Sequence, residues 1–165
     1  PISRKDAGGG WHAVTSRGGM GALVETIQFG KQRTVPGKMV QFVTFEDMQG
    51  RQLHYTCYLT QNNGGEWKFA GGAGGGGGQK IVREHPWVNL GGGGWPDHFY
   101  AGGHVTDNGL DIAYVRLIAN NGTVIEDTIE DSIVLFITAS RVELSLQAEL
   151  YDREDRLIAS HSVFR

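Results

Sequence analysis

Hydrophobic and polar residues alternate with a period of two near the end of the chain. Between residues 142 and 150, every second residue is apolar: Val142, Leu144, Leu146, Ala148 and Leu150. Successive side chains of a strand point to opposite faces, so this pattern predicts a strand with one buried and one solvated face. Residues 133–138 hold a continuous apolar run instead, which is typical of a strand buried on both faces.

Shorter extended segments occupy much of the remaining chain and are separated by turn sequences such as Asn120-Asn121-Gly122. We predict strands over 23–29, 39–46, 52–60, 66–70, 111–119, 123–129 and 157–164, with a turn over 30–38. No segment combines helical spacing with a helix cap. About nine to eleven strands predict an all-β fold, a two-sheet antiparallel sandwich of immunoglobulin-like or jelly-roll-like type with little or no helix.

Glycine is the main anomaly of the composition. The chain has 26 glycines among 165 residues, about 16% where roughly 7% is usual. They cluster near the N-terminus and in two internal tracts. Because glycine-rich segments lose much entropy on ordering, we predict a glycine-rich arm at 1–21. The rest is predicted as a single sandwich domain over 22–165, with glycine-rich loops at 71–78 and 91–103.

Aromatic side chains interrupt or border the second internal glycine tract. They are Trp87, Trp95, Phe99 and Tyr100. Flat rings beside bare backbone can bury their faces against another molecule, so we predict that these four residues contact a ligand or partner. The leading hypothesis is a non-enzymatic binding or assembly module that contacts a protein neighbour, including a second copy of itself, or a glycan.

Charge is unevenly distributed along the chain. Residues 1–96 carry ten Lys and Arg against six Asp and Glu, and residues 97–165 carry five against twelve, giving net charges of +4 and −7. This asymmetry fits solvated charges, packing of the two halves, or head-to-tail association between copies. No Lys/Arg run predicts nucleic-acid binding, and no apolar run reaches the roughly 18 residues of a membrane helix. A protein partner or a homo-oligomer is therefore expected.

A catalytic alternative rests on two carboxylates and two imidazoles that are close in sequence. Asp97, His98, His104 and Asp107 are the candidate residues for a small β-fold hydrolase or lyase. No nucleophile elbow, phosphate-binding loop or zinc-binding spacing accompanies them. The single cysteine, Cys57, lies on the apolar face of a predicted strand and is interpreted as a buried structural thiol. An enzyme is thus the second hypothesis.

No cofactor is predicted, and acidic residues near a turn make calcium the one alternative. Asp107 and Asp111 flank an Asn-Gly turn, and Glu126 and Asp127 lie on the next predicted hairpin. Calcium takes roughly six to eight oxygen ligands, and these carboxylates are the candidate set, although the complete calcium loop with its terminal Glu is absent. The sequence begins at Pro1 and not at Met, so a secreted or cell-surface location stays open.

Overall fold

The computed structural model describes residues 23–76 and 84–164. The chain divides into two compact units, Pro1–Gly78 and Gln79–Arg165, whereas the sequence predicts one domain over 22–165. The predicted arm, 1–21, lies outside the described residues. Within the described residues, no helix has the length and apolar character needed to cross a bilayer.

The first unit contains an antiparallel meander of four strands. A short 3-10 helix, Val24–Thr26, is followed by β1 (Gln28–Val35), β2 (Lys38–Glu46), β3 (Gln52–Gln61) and β4 (Trp67–Gly76), which pair in the order β1-β2-β3-β4. The strand predicted over 23–29 is wrong as far as Ile27, because the Thr26 hydroxyl donates to the Leu23 carbonyl oxygen (2.7 Å) in the 3-10 turn, and only Gln28 and Phe29 belong to β1. The turn predicted over 30–38 is confined to Pro36-Gly37, where Gly37 has a φ of +70°.

One buried cluster of the first unit lies on the face of this sheet that carries Cys57. It consists of Met39, Val43, Cys57 and Leu59. Partly buried side chains pack against it: Ile27, Phe29, Tyr55, Trp67 and Phe69. Val40 and Phe42 point to the opposite face of β2 and have no exposed surface, so this strand is buried on both faces.

Glycines of β4 are strand residues and not loop residues. Gly72 and Gly74 lie opposite β3, and the Tyr55 ring is so close that a Cβ at either glycine would overlap it. A ring laid over glycine on a neighbouring strand supplies contacts that the missing side chain does not. The loop predicted over 71–78 is therefore wrong as far as Gly76, and the remainder lies outside the described part of the chain.

The second unit contains two antiparallel sheets. Its strands are β5 (Trp87–Trp95), β6 (His98–Thr106), β7 (Tyr114–Ala119), β8 (Val124–Thr128), β9 (Ile133–Thr138), β10 (Leu146–Tyr151) and β11 (Leu157–Val163). One sheet has the order β5-β6-β9 and the other the order β11-β10-β7-β8. The described residues thus hold eleven strands and no α-helix, which confirms the predicted all-β class.

One core joins the two sheets of the second unit and confirms the predicted sandwich. Buried side chains from both sheets form this core, among them Phe99, Val115, Val134 and Leu150. Val134 faces the core, while Leu135 on the opposite face of β9 is only 1% exposed. This strand is therefore buried on both faces, as its continuous apolar run predicts.

The alternating segment over 142–150 is a strand only in its second half. Leu146 and Leu150 are buried in the core, but β10 begins at Leu146 and Leu144 is 45% exposed. Ser145 interrupts the extended backbone with a φ of +80°, and its N–H donates to the Phe164 carbonyl oxygen (2.7 Å). The inward orientation predicted for Leu144 is therefore wrong, because a left-handed residue breaks the alternation.

The second internal glycine tract also lies in strands. β5 and β6 pair along their whole length and are joined only by Pro96-Asp97. A Cβ at Gly103 would overlap the carbonyl group of Asn89 on the neighbouring strand, so glycine is needed for this close approach. The loop predicted over 91–103 is therefore wrong, because these glycines belong to a tight strand pair.

Three hairpin turns share one hydrogen-bond pattern. In each, the side-chain oxygen of the first residue accepts from the backbone N–H groups of the third and fifth residues, and the fourth residue has a positive φ. The side chains of the first and fifth residues are also hydrogen-bonded. The turns run from Asp47 to Arg51, from Asn62 to Glu66 and from Asp152 to Arg156. Such Asx turns fix the register of the hairpins that they close.

Candidate contact surface

The tip of the β5–β6 hairpin positions Trp95. Trp95 pairs with His98 across the turn, so only Pro96 and Asp97 connect the two strands. Neither connecting residue has a positive φ, which fits a type I turn and excludes types II, I′ and II′. Pro96 occupies the first central position of the turn, and its ring fixes its own φ. The turn is therefore restricted in conformation, and the backbone of Trp95, which precedes it, is held in place.

The Trp95 ring is stacked on two buried rings. Its centroid lies 4.8 Å from that of His98 at an interplanar angle of 3°, and 5.2 Å from that of Tyr100 at 7°. His98 is 9% exposed and Tyr100 is 3% exposed, whereas Trp95 is 42% exposed. The indole is therefore held against a fixed aromatic support while much of its surface faces solvent.

Asp97 fixes the orientation of the His98 ring. The Asp97 Oδ1 atom lies 2.7 Å from His98 Nδ1, at a hydrogen-bonding distance. A ring held at one nitrogen and stacked on both neighbours has little freedom to rotate. The support beneath Trp95 is consequently rigid.

The segment before β10 lies beside this hairpin. A Cβ at Gly94 would be 3.2 Å from the Val142 carbonyl oxygen and 3.4 Å from the Leu144 Cδ2 atom, so the glycine gives the segment room to approach. Together they form an open depression of about 530 Å³. We name it the Trp95 patch, lined by Gly94, Trp95, Pro96, Arg141, Val142, Glu143 and Leu144.

Two charged side chains of opposite sign border the Trp95 patch. Arg141 and Glu143 are exposed and lie on either side of the buried Val142. Neither has an ion pair or hydrogen bond within 23–76 and 84–164. The lining of the patch therefore combines two exposed apolar side chains, Trp95 and Leu144, with one positive and one negative group.

The other predicted contact residues lie elsewhere. Phe99 faces the sandwich core with no exposed surface and meets Phe164 edge to face at 6.0 Å. Trp87 lies at the other end of β5 and stacks on His161 at 3.5 Å. Of the four predicted residues, the structure brings together Trp95 and Tyr100, and Phe99 has no surface to offer a partner.

The four candidate catalytic residues do not converge. Asp97 and His98 are hydrogen-bonded at the start of β6, but His104 lies six residues further along the strand, at a distance of about 20 Å for a rise of roughly 3.3 Å per residue. Burial lowers the pKa of His104. Asp107 lies beyond His104 in a turn, where its Oδ1 atom accepts from the Gly109 N–H (3.0 Å). The geometry therefore gives the hydrolase or lyase alternative no shared site.

The candidate calcium ligands each have a protein partner. Asp107 accepts from Gly109, Asp111 lies 3.4 Å from Arg153, Glu126 lies 2.7 Å from Arg116, and Asp127 accepts from the buried Leu135 N–H at 2.7 Å. In the part of the chain that the structure describes, no three His, Cys, Asp or Glu side chains are grouped so as to hold a metal ion.

A second aromatic cluster lies on the four-stranded sheet of the second unit. The Arg116 guanidinium is 5.0 Å from the Tyr114 ring centroid and 4.7 Å from that of Tyr151, and the two rings stack at 5.1 Å. The Tyr114 hydroxyl donates to Asp155 (2.6 Å), which raises the pKa of Tyr114 to about 12. Because its polar groups bond one another, this cluster stabilises the sheet surface.

Leu144, Arg141 and Glu143 are the surface residues that the sequence pattern misses. Strict alternation over 142–150 assigns Leu144 to the core and gives no reason to select the two charged residues. The pattern holds no signal for the positive φ of Ser145, which rotates Leu144 outward.

Comparison with known proteins adds no family to this geometry. No protein-family model matches the chain, no curated protein matches it, and no solved structure matches it.

Proposed function

We propose that this chain is a non-enzymatic binding or assembly module that contacts a protein neighbour through the Trp95 patch. One observation carries the proposal. Trp95 is 42% exposed while the two rings beneath it are buried, and Leu144, also on the patch, is 45% exposed. A large ring kept partly in water on a rigid support is what a contact residue requires.

The chemistry of the patch resembles that of a protein interface. Interfaces have an apolar centre and a polar rim, and tryptophan is enriched among the residues that contribute most to binding. Trp95 and Leu144 supply the centre, and Arg141 and Glu143 supply the rim. Because the indole is already immobilised by stacking, it loses little freedom when a partner covers it.

A protein neighbour fits the patch better than a glycan. Pro96, Val142 and Leu144 line the patch beside Trp95, and side-chain hydrogen bonds to hydroxyl groups come from Arg141, Glu143 and the Trp95 indole N–H. A glycan site needs several convergent polar groups for orientation and specificity. The glycan of the leading hypothesis is therefore the second candidate ligand.

The position of the patch in the fold supports a binding role. The second unit has sheets of three and four strands, the number of strands in a constant-type immunoglobulin-like sandwich. In such sandwiches the loops cluster at the two ends, and binding residues are commonly found on loops that a rigid scaffold positions. The β5–β6 hairpin tip and the 139–145 segment are both connections of this kind.

Photo-cross-linking tests the proposal. A benzoylphenylalanine residue at position 144, in the full chain and in extract of the source cells, is expected to give a discrete adduct. The same residue at position 124 is the control, because Val124 is 53% exposed but lies on β8, which contributes no residue to the Trp95 patch. Trp95→Ala is expected to abolish the adduct without unfolding the chain, since nearly half of the ring is in solvent. Identical adducts from both positions, or none, would overturn the proposal.

A further inference from the structure

We infer that the Trp95 patch binds a second copy of the same chain about a twofold axis, an inference that rests on the proposed function. Arg141 and Glu143 are its basis. They lie two residues apart in the lining of the patch, both are exposed, and neither has a partner among the described residues. A surface with one unpaired charge of each sign is complementary to itself.

Twofold symmetry makes each copy supply what the other lacks. In such an interface a residue i contacts a residue j of the second copy, and the reverse contact follows from the axis. With an axis that lies in the interface and runs between Arg141 and Glu143 through the patch, Arg141 faces the second copy's Glu143, and Glu143 faces the second copy's Arg141. Trp95 and Leu144 then meet their own equivalents at the centre, where apolar surface is buried.

The patch has no chemistry that selects a strongly charged partner. Its two charges cancel, so an acidic or basic surface would gain one attraction and meet one repulsion. A second copy presents both charges at the spacing that the patch itself has. Charge complementarity therefore favours a second copy over a partner of a single charge sign.

Charge reversal on the intact chain tests this arrangement. Sedimentation equilibrium from roughly 5 µM to roughly 500 µM is expected to show a reversible monomer–dimer equilibrium. Arg141→Glu and Glu143→Arg are each expected to weaken association at least about tenfold, because each change places like charges together twice in the dimer. The double variant Arg141→Glu/Glu143→Arg restores opposite charges across the axis and is expected to recover the original affinity.

Recovery in the double variant distinguishes this dimer from nonspecific association. Both residues are exposed and unpaired within the described chain, so the substitutions are not expected to change the thermal midpoint, which serves as the folding control. A monomer at every concentration would overturn the inference. So would a double variant that associates as weakly as the single variants.

The cross-linking experiment separates the two proposals. An adduct of twice the chain mass at position 144 supports the second copy. An adduct of any other discrete mass keeps the proposed function and overturns the inference. No adduct at all overturns the proposed function, whatever the sedimentation result.

Discussion

The Thr56 hydroxyl on β3 is buried and has no hydrogen-bond partner among the described residues. Leaving a buried hydroxyl unpaired costs roughly 1–3 kcal/mol. Valine has nearly the same shape without the polar group. Thr56→Val is therefore expected to raise the free energy of unfolding by about 1 kcal/mol, as measured by urea denaturation.

Thr26 is a matched control because its hydroxyl is paired twice. It donates to the Leu23 carbonyl oxygen (2.7 Å) and accepts from the Glu46 N–H (2.8 Å). Thr26→Val removes both bonds and is expected to lower the free energy of unfolding by about 1–2 kcal/mol. If Thr56→Val lowers the free energy of unfolding as Thr26→Val does, the hydroxyl of Thr56 is hydrogen-bonded in the folded chain.

Cys57 is 7% exposed, and burial raises the pKa of its thiol to about 12. Because the thiolate is the reactive form, the native chain is expected to resist the thiol reagent DTNB at about pH 8 and to react only on unfolding. The raised pKa stabilises the folded state fully below the ordinary thiol pKa of about 8.5, and this contribution is lost as pH rises toward the folded value. Rapid stoichiometric labelling of the native chain would contradict the buried assignment.

At the level of the strand, the glycines of β4 make a specific prediction. A Cβ at Gly72 would overlap the Tyr55 ring and the Thr56 carbonyl oxygen. Gly72→Ala is therefore expected to lower the free energy of unfolding by roughly 2–4 kcal/mol. Gly30 in β1 is the control, because a Cβ there would lie at an ordinary 3.6 Å from the nearest atom. Gly30→Ala is expected to change stability by less than about 1 kcal/mol in urea denaturation.

The turn from Asp47 to Arg51 makes stability depend on acid pH. Burial opposes ionisation of Asp47, but hydrogen bonds from Arg51 and from the Gln49 N–H outweigh it and lower the pKa. A carboxyl group with a lowered pKa contributes stability above its ordinary pKa of about 3.9, and the contribution is lost as pH falls through the folded value. Asp47→Asn is thus expected to make the thermal midpoint less sensitive to pH between about pH 5 and pH 2.

Asp107→Asn, at an exposed turn in the second unit, is the control for that measurement. It replaces a carboxylate that also accepts a hydrogen bond from a backbone N–H. Unlike Asp47, this carboxylate accepts no hydrogen bond from an arginine among the described residues. If the thermal midpoint of Asp47→Asn falls with pH between about pH 5 and pH 2 as steeply as that of the unsubstituted chain, the Asp47 carboxylate does not couple pH to folding.

Across the whole molecule, the strands that the sequence predicts are those whose side chains carry a hydrophobic pattern. β9 has the predicted bounds because its apolar run is continuous, and β8 lies within its predicted segment. The glycine-rich parts of β4 and β5 are not predicted as strands, because glycine has no side chain and so contributes nothing to a hydrophobic pattern. The exposure of Leu144 is not predicted, because the hydrophobic pattern does not reveal the positive φ of Ser145 that follows it.

The candidate contact surface is recoverable from sequence only in part. Composition selects Trp95 and Tyr100, but it also selects Phe99, which points to the opposite face of the same strand. Adjacent residues of a strand point to opposite faces, so a strand assignment would have separated Phe99 from Tyr100. The prediction of a loop over 91–103 does not allow that distinction. Arg141 and Glu143 are missed because Arg141 lies just before the predicted strand 142–150 and Glu143 lies on its predicted solvated face, where a charged residue is expected.

Strand order predicts how amide protection is distributed over the molecule. β2 and β3 are paired on both sides in the first unit, as are β6, β7 and β10 in the second, so their amides are expected to exchange slowest in native-state hydrogen exchange. Edge strands such as β8 are expected to exchange faster. The Leu135 amide of the edge strand β9 is the expected exception, because it donates to the buried Asp127 carboxylate (2.7 Å). Asp127→Ala should remove that protection, and equal protection of β7 and β8 would contradict the strand order.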